Sequence, residues 1–538
     1  MTEPDLDTFD SRRSTVHAPR GVVATSQPLA ASAGLSMLRG GGNAFDAAVA
    51  TAAALNVVEP VNTGLGGDVF ACFRTADGDV GALRSCGYAP RKASLEKVRN
   101  LAADAQDTDP QNAEMPFRGP LTVTVPGTAR GWELTVQEFG RRSLGEVLQP
   151  AIHYATQGFP VSEIIAADWQ DAADQFVDES GREQFLPNGR APRVGEIVHL
   201  PYLGETMQKI ANKGADTVYE GEIAEAIAAE VQSHGGLLTV DDLASFEPEL
   251  IDPVSTTYRG TEVFELPPNN QGLIALEALN IAEEIDAGTA PLNSAERVHR
   301  FAEAFKLAFH DGHHYITDPE FEDIPPLDSK RYAAERAEHI GENAGTDIGI
   351  GNPRSEHADT VLLTAADEEG NVVTFINSRY KQFGSGLVAG ETGIALQNRG
   401  GSFSLDSADP NHIEPHKRPF HTLVPGLARR GEEQWLGFGV MGGYMQPQGH
   451  LQVLANLVDY NKPLQAALDE PRWRYKNNGR LALEQRLAAR VGSKLARRGH
   501  DVQILPPGGF GGGQLAQYDD GVLSAASDPR KDGNAVGF

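Results

Sequence analysis

Residues 359–378 read D-T-V-L-L-T-A-A-D-E-E-G-N-V-V-T-F-I-N-S, two apolar runs that flank an acidic turn. The first run, 360–365, predicts a buried strand, and the second, 372–378, predicts the strand that returns from the turn at 367–371. Upstream, residues 341–357 contain several glycines and lack apolar periodicity, which is typical of an irregular segment. The sequence therefore predicts a buried β-hairpin that starts directly after an irregular segment.

Thr360 opens this hairpin, immediately after Asp359. On its own, a threonine at the start of a strand is only a good β-former. A chain cut between the two residues, however, would give Thr360 both a hydroxyl nucleophile and a free α-amine. Because an α-amine titrates near pH ~8, it can act as the general base without a histidine. The residues alone leave both interpretations of Thr360 open.

Outside the hairpin, strand-like and helix-like patterns alternate. Helical periodicity is found at 28–39, at 44–56, through most of 127–310, near 450–470 and at 483–498. Further strands are predicted at 69–74, 422–427, 435–440 and 521–526. Strands with helices on both sides predict a layered α+β architecture.

The charge of the chain excludes two classes of partner. Its 538 residues carry 74 acidic and 46 basic side chains, a formal net charge of −28. We expect no binding to nucleic acid and no docking on an anionic membrane, because both need a basic face. Only 12 of the basic residues are Lys. Acid excess with scarce Lys is typical of halophilic proteins and also fits an ordinary acidic enzyme, and both interpretations stay open.

The two cysteines, Cys72 and Cys86, are too few for a disulfide framework. The first residues are polar and acidic, without the apolar core of a secretory signal, and no run of 18 apolar residues occurs. We therefore expect a cytoplasmic protein.

The glycine runs at 64–67 and 508–513 are followed by no Lys-Ser/Thr pair and do not fit a dinucleotide fingerprint. The histidines in the run 310–314 lack the spacing of a zinc-binding helix. We expect neither a cofactor nor a metal.

Short motifs along nearly the whole chain form a recognisable series. They read G-G-N-A-F-D-A-A-V-A at 41–50, G-L-G-G at 64–67, V-P-G-T-A-R-G-W-E at 125–133, P-P-N-N-Q-G at 267–272, D-E-E-G-N at 367–371, F-G-S-G at 383–386, K-R-P at 417–419, G-G at 442–443 and S-D-P-R-K-D-G-N-A at 527–535. In this order they resemble the γ-glutamyltransferase (glutathione hydrolase) family of N-terminal-nucleophile hydrolases, and the resemblance is closer to the branch with oxamate amidohydrolase and acylase-like members.

The resemblance implies a four-layer αββα sandwich made as one precursor that cuts itself before a threonine. Counting back from the turn at 367–371 places the cut at Asp359–Thr360. The implied parts are a flexible acidic arm (1–20), a large-subunit segment (21–359) and a small-subunit segment (360–538), which together form one globular unit. Homo-oligomers of the processed heterodimer stay open.

The resemblance also assigns the catalytic residues. Thr360 would attack the substrate carbonyl and form an acyl-enzyme, which water or an acceptor amine then resolves. The N–H groups of Gly442 and Gly443 would form the oxyanion hole. Ser378 falls where the family keeps a second hydroxyl that bonds to the nucleophile.

Several positions depart from the family pattern, and they lie where the family binds substrate. Arg399 and Ser402 replace an acid and an amide that bind an ammonium in the family, and Tyr380 replaces an asparagine. A carboxylate-binding arginine of the family falls near Cys86, with Arg84 as the nearest substitute. The predicted substrate-binding residues are Arg84, Tyr380, Arg399, Ser402, His421 and Thr422.

Three functions follow from the resemblance. The family's default is hydrolysis or transfer of γ-glutamyl amides such as glutathione. The first alternative is hydrolysis of small amides that carry a carboxylate, such as oxamate, because a guanidinium prefers a carboxylate and rejects an ammonium. This alternative weakens if Arg399 pairs with a nearby acid such as Asp406 instead. The remaining alternative is an unprocessed, non-catalytic relative.

Overall fold

The computed structural model of the protein describes residues 13–177, 179–345 and 360–538. Asp359 and residues 1–12 of the predicted arm lie outside the described residues.

The α-helices of the described residues are numbered in chain order. They are α1 (Pro28–Arg39), α2 (Ala44–Val58), α3 (Leu95–Gln106), α4 (Thr128–Phe139), α5 (Leu144–Gln157), α6 (Glu163–Ala172), α7 (Glu179–Phe185), α8 (Pro201–Lys213), α9 (Asp216–Tyr219), α10 (Glu222–Ser233), α11 (Val240–Ala244), α12 (Gly272–Glu284), α13 (Ala295–Tyr315), α14 (Lys330–Ala337), α15 (Met445–Val458), α16 (Leu464–Asp469) and α17 (Gln485–Arg497).

The strands are numbered in the same way. They are β1 (Val16–Ala18), β2 (Gly21–Thr25), β3 (Asp68–Arg74), β4 (Val80–Ser85), β5 (Phe159–Pro160), β6 (Ile197–Val198), β7 (Glu249–Ile251), β8 (Val254–Tyr258), β9 (Thr261–Glu265), β10 (Val361–Asp367), β11 (Val372–Ser378), β12 (Gly426–Arg430), β13 (Gln434–Met441), β14 (Trp473–Tyr475), β15 (Leu481–Glu484), β16 (Val502–Leu505), β17 (Gly512–Asp519), β18 (Val522–Ser527) and β19 (Asn534–Gly537).

Two antiparallel sheets form the centre of the molecule. The hairpin sheet has the strand order β19-β2-β10-β11-β3-β4-β7, and the facing sheet has the order β1-β18-β17-β13-β12-β9-β8. A hydrophobic cluster between them joins side chains such as Leu362 and Ile376 of the hairpin sheet to Leu427 and Trp435 of the facing sheet. The two sheets therefore pack face to face.

Helices cover the outer face of each sheet. Residues of α1, α2, α4 and α5 share a core with the hairpin sheet, and residues of α12, α13 and α15 share a core with the facing sheet. Two outer helical layers and two inner sheets confirm the expected four-layer αββα sandwich.

The predicted hairpin is present as β10 and β11, and both strands are buried at every residue. Val361 and Leu363 point to the helical layer, whereas Leu362 points into the space between the sheets. This alternation has a period of two residues. Because both faces of the hairpin sheet are covered, the strand needs an uninterrupted apolar run.

The N-terminal part of the described chain belongs to the sandwich. Strand β1 pairs with β18, with Val16 opposite Ala525, so residues 16–18 of the predicted arm form a strand.

Among the described residues, no helix has both the length and the apolar character needed to cross a bilayer.

Candidate active site

Thr360 and Ser378 face each other at the end of the hairpin that lies away from its turn. The register pairs Val361 with Asn377, which places Thr360 opposite Ser378. The Thr360 hydroxyl donates to Ser378 Oγ at 3.3 Å, and both side chains are buried. The structure therefore brings together the two hydroxyls that the sequence predicts as nucleophile and partner.

Tyr380 approaches the same hydroxyl pair from the chain that follows β11. Its backbone N–H donates to Ser378 Oγ at 2.9 Å. Its φ is +82°, a conformation that costs a non-glycine residue energy and that is found most often at functional sites. The Tyr380 backbone is thus held against Ser378, and its side chain is buried.

Gly442 and Gly443 form the turn between β13 and α15. Their φ angles are +119° and +60°, in the region that favours glycine. The carbonyl of Gly442 accepts from the N–H of Met445 at 3.0 Å, but no described group accepts a hydrogen bond from the N–H of either glycine. Two adjacent unused backbone donors suit an oxyanion hole, and this role of the pair stays a prediction.

Arg399 lies in a short 3-10 turn (Arg399–Ser402) and is fully buried. Its Nη1 donates to Thr422 Oγ1 at 2.8 Å, and its guanidinium carbon lies 4.3 Å from the centre of the Tyr380 ring. Its Nε and Nη2 have no hydrogen-bond partner among the described residues. Burial lowers the pKa of Arg399 to about 10, so the guanidinium stays charged at neutral pH.

Asp68 lies opposite Ser378 in the neighbouring strand β3 and is the acid whose charge acts most strongly on Arg399. Its carboxylate accepts hydrogen bonds from Gln397 Nε2 at 3.0 Å, from the N–H of Gly127 at 3.1 Å and from His421 Nε2 at 3.0 Å. A carboxylate offers about four acceptor positions, and these three donors occupy most of them.

His421 is a link between the Asp68 carboxylate and the backbone. Its Nδ1 accepts from the N–H of Leu423 at 3.3 Å, so the proton sits on Nε2, which donates to Asp68. Burial, and then the charge of Arg399, hold the pKa of His421 well below its usual value. The imidazole is therefore neutral, with both ring nitrogens engaged.

Of the other predicted substrate-binding residues, Ser402 holds the Arg399 turn and Arg84 is engaged by an ion pair. Ser402 Oγ lies 2.7 and 2.9 Å from the carbonyl oxygens of Arg399 and Phe420, either of which can accept its one hydroxyl proton. Arg84 forms an ion pair with Glu249 at 2.6 Å and donates to the carbonyl of Pro268 at 2.8 Å. Contact of either side chain with a substrate stays a prediction.

Asp406, the alternative partner of Arg399, has another role. Its Oδ1 accepts from the N–H of Ala408 at 3.0 Å, while Arg399 donates to Thr422. No hydrogen bond or ion pair among the described residues joins Asp406 to the Arg399 guanidinium.

Three side chains of this region were not predicted from the sequence. Tyr444 directly follows the glycine turn, and Tyr380 lies close enough to contribute to the raised pKa of its hydroxyl. Asp68 follows the run G-L-G-G, and Gln271 lies in P-P-N-N-Q-G. Both motifs carry the family resemblance, so proximity to a motif was the signal available for these residues.

A second buried group, His299, Glu303 and His500, has the spacing of metal ligands. However, Lys306 Nζ lies 2.6 Å from Glu303 Oε1, and His299 Nδ1 lies 2.9 Å from His500 Nε2. The Lys306 ammonium already supplies the positive charge beside the carboxylate, so the group is satisfied without an ion.

Comparison with known proteins identifies the family. The family model described as Gamma-glutamyltranspeptidase matches residues 30–538. The chain belongs to this family. A glutathione hydrolase-like proenzyme from Bacillus subtilis is 37% identical and covers 97% of this chain and 99% of its own length. An oxamate amidohydrolase proenzyme from Klebsiella pneumoniae is 33% identical over 96% of this chain and 98% of its own.

Solved structures agree with the family and with its fold. A cephalosporin acylase from Bacillus halodurans superposes with a TM-score of 0.90 at 42% identity, over 100% of this chain and 99% of its own. A γ-glutamyltranspeptidase from Helicobacter pylori gives a TM-score of 0.57 over 63% of this chain and 95% of its own. The chain thus has the fold of these acylase and γ-glutamyltranspeptidase structures, and two of its relatives are proenzymes.

Proposed function

We propose that the protein is an autoprocessing amidohydrolase in which Thr360 is the nucleophile and Arg399 binds a carboxylate on the acyl group. The observation that supports the substrate class most strongly is the Arg399 guanidinium, which is fully buried while its Nε and Nη2 have no described partner. Burying such donors unpaired is costly. A carboxylate, whose two oxygens match a guanidinium edge, would satisfy them.

The position of Thr360 supports the nucleophile assignment. Its hydroxyl is bonded to Ser378 at the first residue before β10, where a cut after Asp359 would expose its α-amine. In autoprocessing, Thr360 Oγ would attack the Asp359 carbonyl carbon, the C–N bond would break, and water would hydrolyse the resulting ester. The products are a free Asp359 carboxyl and a free Thr360 amine.

The mature enzyme would repeat this chemistry on an amide substrate. The Thr360 hydroxyl proton passes to its α-amine as Oγ attacks the carbonyl carbon. The N–H groups of Gly442 and Gly443 would stabilise the oxyanion. The amine then returns the proton to the leaving nitrogen as the C–N bond breaks. Water, or an acceptor amine, resolves the acyl-Thr360 ester.

The γ-glutamyl group is the second candidate acyl group, favoured by the 37% identical glutathione hydrolase-like relative. It carries both a carboxylate and an ammonium. Arg399 can bind the carboxylate, while Asp68, the acid whose charge acts most strongly on Arg399, already accepts three hydrogen bonds. The ammonium would lie near the Arg399 guanidinium, and repulsion between the two cations disfavours γ-glutamyl amides relative to acyl groups without that ammonium.

Three p-nitroanilides separate these candidates. Glutaryl-p-nitroanilide carries the carboxylate alone, γ-glutamyl-p-nitroanilide adds the ammonium, and pentanoyl-p-nitroanilide lacks both. We expect kcat/KM to be highest for the glutaryl compound, and oxamate hydrolysis tests a smaller carboxylate-bearing amide. A preference for the γ-glutamyl compound would overturn the proposed substrate class.

The nucleophile is tested with Thr360→Ala and Thr360→Ser. Thr360→Ala should stay a single chain on a denaturing gel and hydrolyse none of the amides, whereas Thr360→Ser keeps a hydroxyl and should process slowly. N-terminal sequencing of the small fragment of the wild-type protein should begin at Thr360. Activity of an uncut Thr360→Ala protein would contradict both assignments.

A further inference from the structure

We propose that Gln271 is a positioning residue that holds the oxyanion turn and the Arg399 site in fixed relation, an inference that rests on the proposed function. Gln271 precedes α12 and is fully buried. Its side-chain Nε2 donates to the carbonyl of Thr422 at 2.7 Å and to the carbonyl of Gly443 at 3.0 Å. One amide group thus joins two separate segments of the small-subunit segment.

The two acceptors belong to the two halves of the site. Thr422 is the residue whose hydroxyl accepts from Arg399 Nη1 at 2.8 Å. Gly443 is one of the two glycines with an unused backbone N–H, and its carbonyl belongs to the peptide that leads into Tyr444. Gln271 therefore fixes the peptide next to the oxyanion donors and the residue that orients the guanidinium.

The backbone around Gln271 makes this connection rigid. The Gln271 N–H donates to the carbonyl of His421 at 3.1 Å, and the N–H of His421 donates to the carbonyl of Asn269 at 2.9 Å. Asn269 Nδ2 also donates to the carbonyl of Pro419 at 2.7 Å. The loop of residues 267–272 is thereby tied along the segment that precedes β12, and Gln271 extends these ties across to the glycine turn.

Only a side chain with two N–H donors at this length can bridge both carbonyls. The side-chain NH₂ of glutamine has two hydrogens, one for each carbonyl. Methionine matches the length of glutamine but donates nothing. A displacement of reacting groups by about 1 Å costs about 10²-fold in rate. Losing the bridge should therefore affect the chemical step and the recognition of the carboxylate together.

The test uses the full, processed protein and the glutaryl and pentanoyl p-nitroanilides. We expect Gln271→Met to lower kcat for both compounds by about 10²-fold and to reduce the preference for the glutaryl compound. Gln452→Met is the matched control, because Gln452 is a buried glutamine on α15 whose Nε2 also donates to two carbonyls, those of Gln448 and Trp473. It should lower thermal stability but retain the wild-type kcat.

Gln271→Glu provides a second variant of nearly the same shape. An ionised carboxylate repels both carbonyl oxygens, whereas a protonated one can still donate to one of them. We expect its deficit in kcat relative to wild type to deepen as the pH rises, which a purely structural role would not produce. This variant also keeps the test decisive if Gln271→Met does not fold.

The outcomes separate the two proposals. If the wild-type protein is active and a folded Gln271→Met or Gln271→Glu variant keeps the same kcat and the same preference for the glutaryl compound, the role of Gln271 alone is overturned. A wild-type protein that cleaves none of the amides would overturn the proposed function and, with it, this inference.

Discussion

Arg399 carries the charge that distinguishes this site. The family resemblance implies a carboxylate-binding arginine near position 86, where this chain has Cys86. The Arg399 guanidinium lies instead in the 3-10 turn of residues 399–402, close enough to Asp68 to oppose the rise in the pKa of that carboxyl. The positive charge near Asp68 thus comes from a segment distant in sequence from Cys86.

Replacing Arg399 should therefore change selectivity more than the chemical step. We expect Arg399→Met to lower kcat/KM for glutaryl-p-nitroanilide by about 10²-fold, since hydrogen bonds to a charged group contribute about 1.5–3 kcal/mol. Pentanoyl-p-nitroanilide has no carboxylate to lose, so its kcat/KM is the internal control. Steady-state kinetics on both substrates checks this, and an equal loss for both would argue against carboxylate binding by Arg399.

Asp68 should make carboxylate binding depend on pH. Burial raises the pKa of Asp68 to about 7, against the opposing effect of Arg399. As the pH falls through that value, Asp68 becomes neutral and no longer offsets the Arg399 charge. A substrate carboxylate is then bound more tightly, so the KM of the glutaryl compound should fall from pH 8 to pH 6.

The size of this change follows from linkage between the two anions. If a bound substrate carboxylate raises the pKa of Asp68 by about one unit, the KM changes by about tenfold. The groups that face Arg399 include Cys86, whose pKa burial raises to about 12, and Tyr444, whose pKa burial also raises. The pKa of His421 is lowered, so none of these three titrates in this window. A KM that does not vary for the glutaryl compound, or that varies equally for the pentanoyl compound, would contradict the prediction.

For single residues, the sequence predicts those that lie in a recognisable local pattern. The hairpin is contiguous in sequence, and the family resemblance assigns Thr360 and Ser378 to its two strands; the register of the hairpin then places them opposite each other. Gln271 and Tyr444 could not be placed, because their partners, Thr422 and Tyr380, come from distant segments. Only the packed sandwich brings these pairs together.

Among the elements, the paired strands β3 and β11 carry Asp68 and Ser378 side by side and leave no spare room at Gly67. A Cβ on Gly67 would lie 2.3 Å from the carbonyl oxygen of Ser378, which is backbone and cannot move aside cheaply. Gly67 therefore allows β11 to carry Ser378 to Thr360. The position just before β3 therefore requires a residue without a side chain.

Gly67→Ala should displace Ser378 and slow both autoprocessing and turnover. We expect about a 10- to 100-fold loss of kcat, because small displacements of reacting groups are costly. Gly78→Ala is the control: Gly78 lies at φ +94° with no atom near its added Cβ, so it should cost about 1 kcal/mol of stability and leave kcat unchanged. Processing on a denaturing gel and kcat check this, and normal processing in Gly67→Ala would contradict it.

The elements that the sequence does not predict are short or displaced strands. The region 127–310 is mainly helical, as expected, but it also contains β7, β8 and β9. These strands have three to five residues each, and several of their side chains are partly exposed, so their apolar pattern is weak. The strand predicted at 422–427 begins only at Gly426, because Thr422 and its neighbours instead form the segment held by Gln271.

For the molecule as a whole, the predicted cut would separate most of the negative charge from the rest of the chain, but it would not separate the strands of the two sheets. The segment 1–359 has a net charge of −29 and the segment 360–538 a net charge of +1. The strands, however, are interleaved: β2 of the large-subunit segment lies between β19 and β10 of the small-subunit segment. The acidity belongs to one segment, but each central sheet is built from both.

This interleaving predicts that the processed subunits remain one folding unit. Removing either subunit would leave strands of both sheets without their neighbours, so neither subunit should keep its fold alone. In a urea titration followed by size-exclusion chromatography and circular dichroism, we expect the subunits to separate at the concentration at which secondary structure is lost. Separation of two subunits that both stay folded would contradict this.

The dependence of the urea midpoint on protein concentration tests the same prediction more sharply. Unfolding of a processed, two-chain enzyme releases two molecules, so its urea midpoint should rise with protein concentration by mass action. The uncut Thr360→Ala chain has the same strands but unfolds as one molecule, so its midpoint should not depend on concentration. Equal behaviour of the two proteins would show that the cut does not divide the cooperative unit. A concentration-dependent midpoint in the processed enzyme alone would show that the bond before Thr360 is the single covalent link between two chains that share both central sheets.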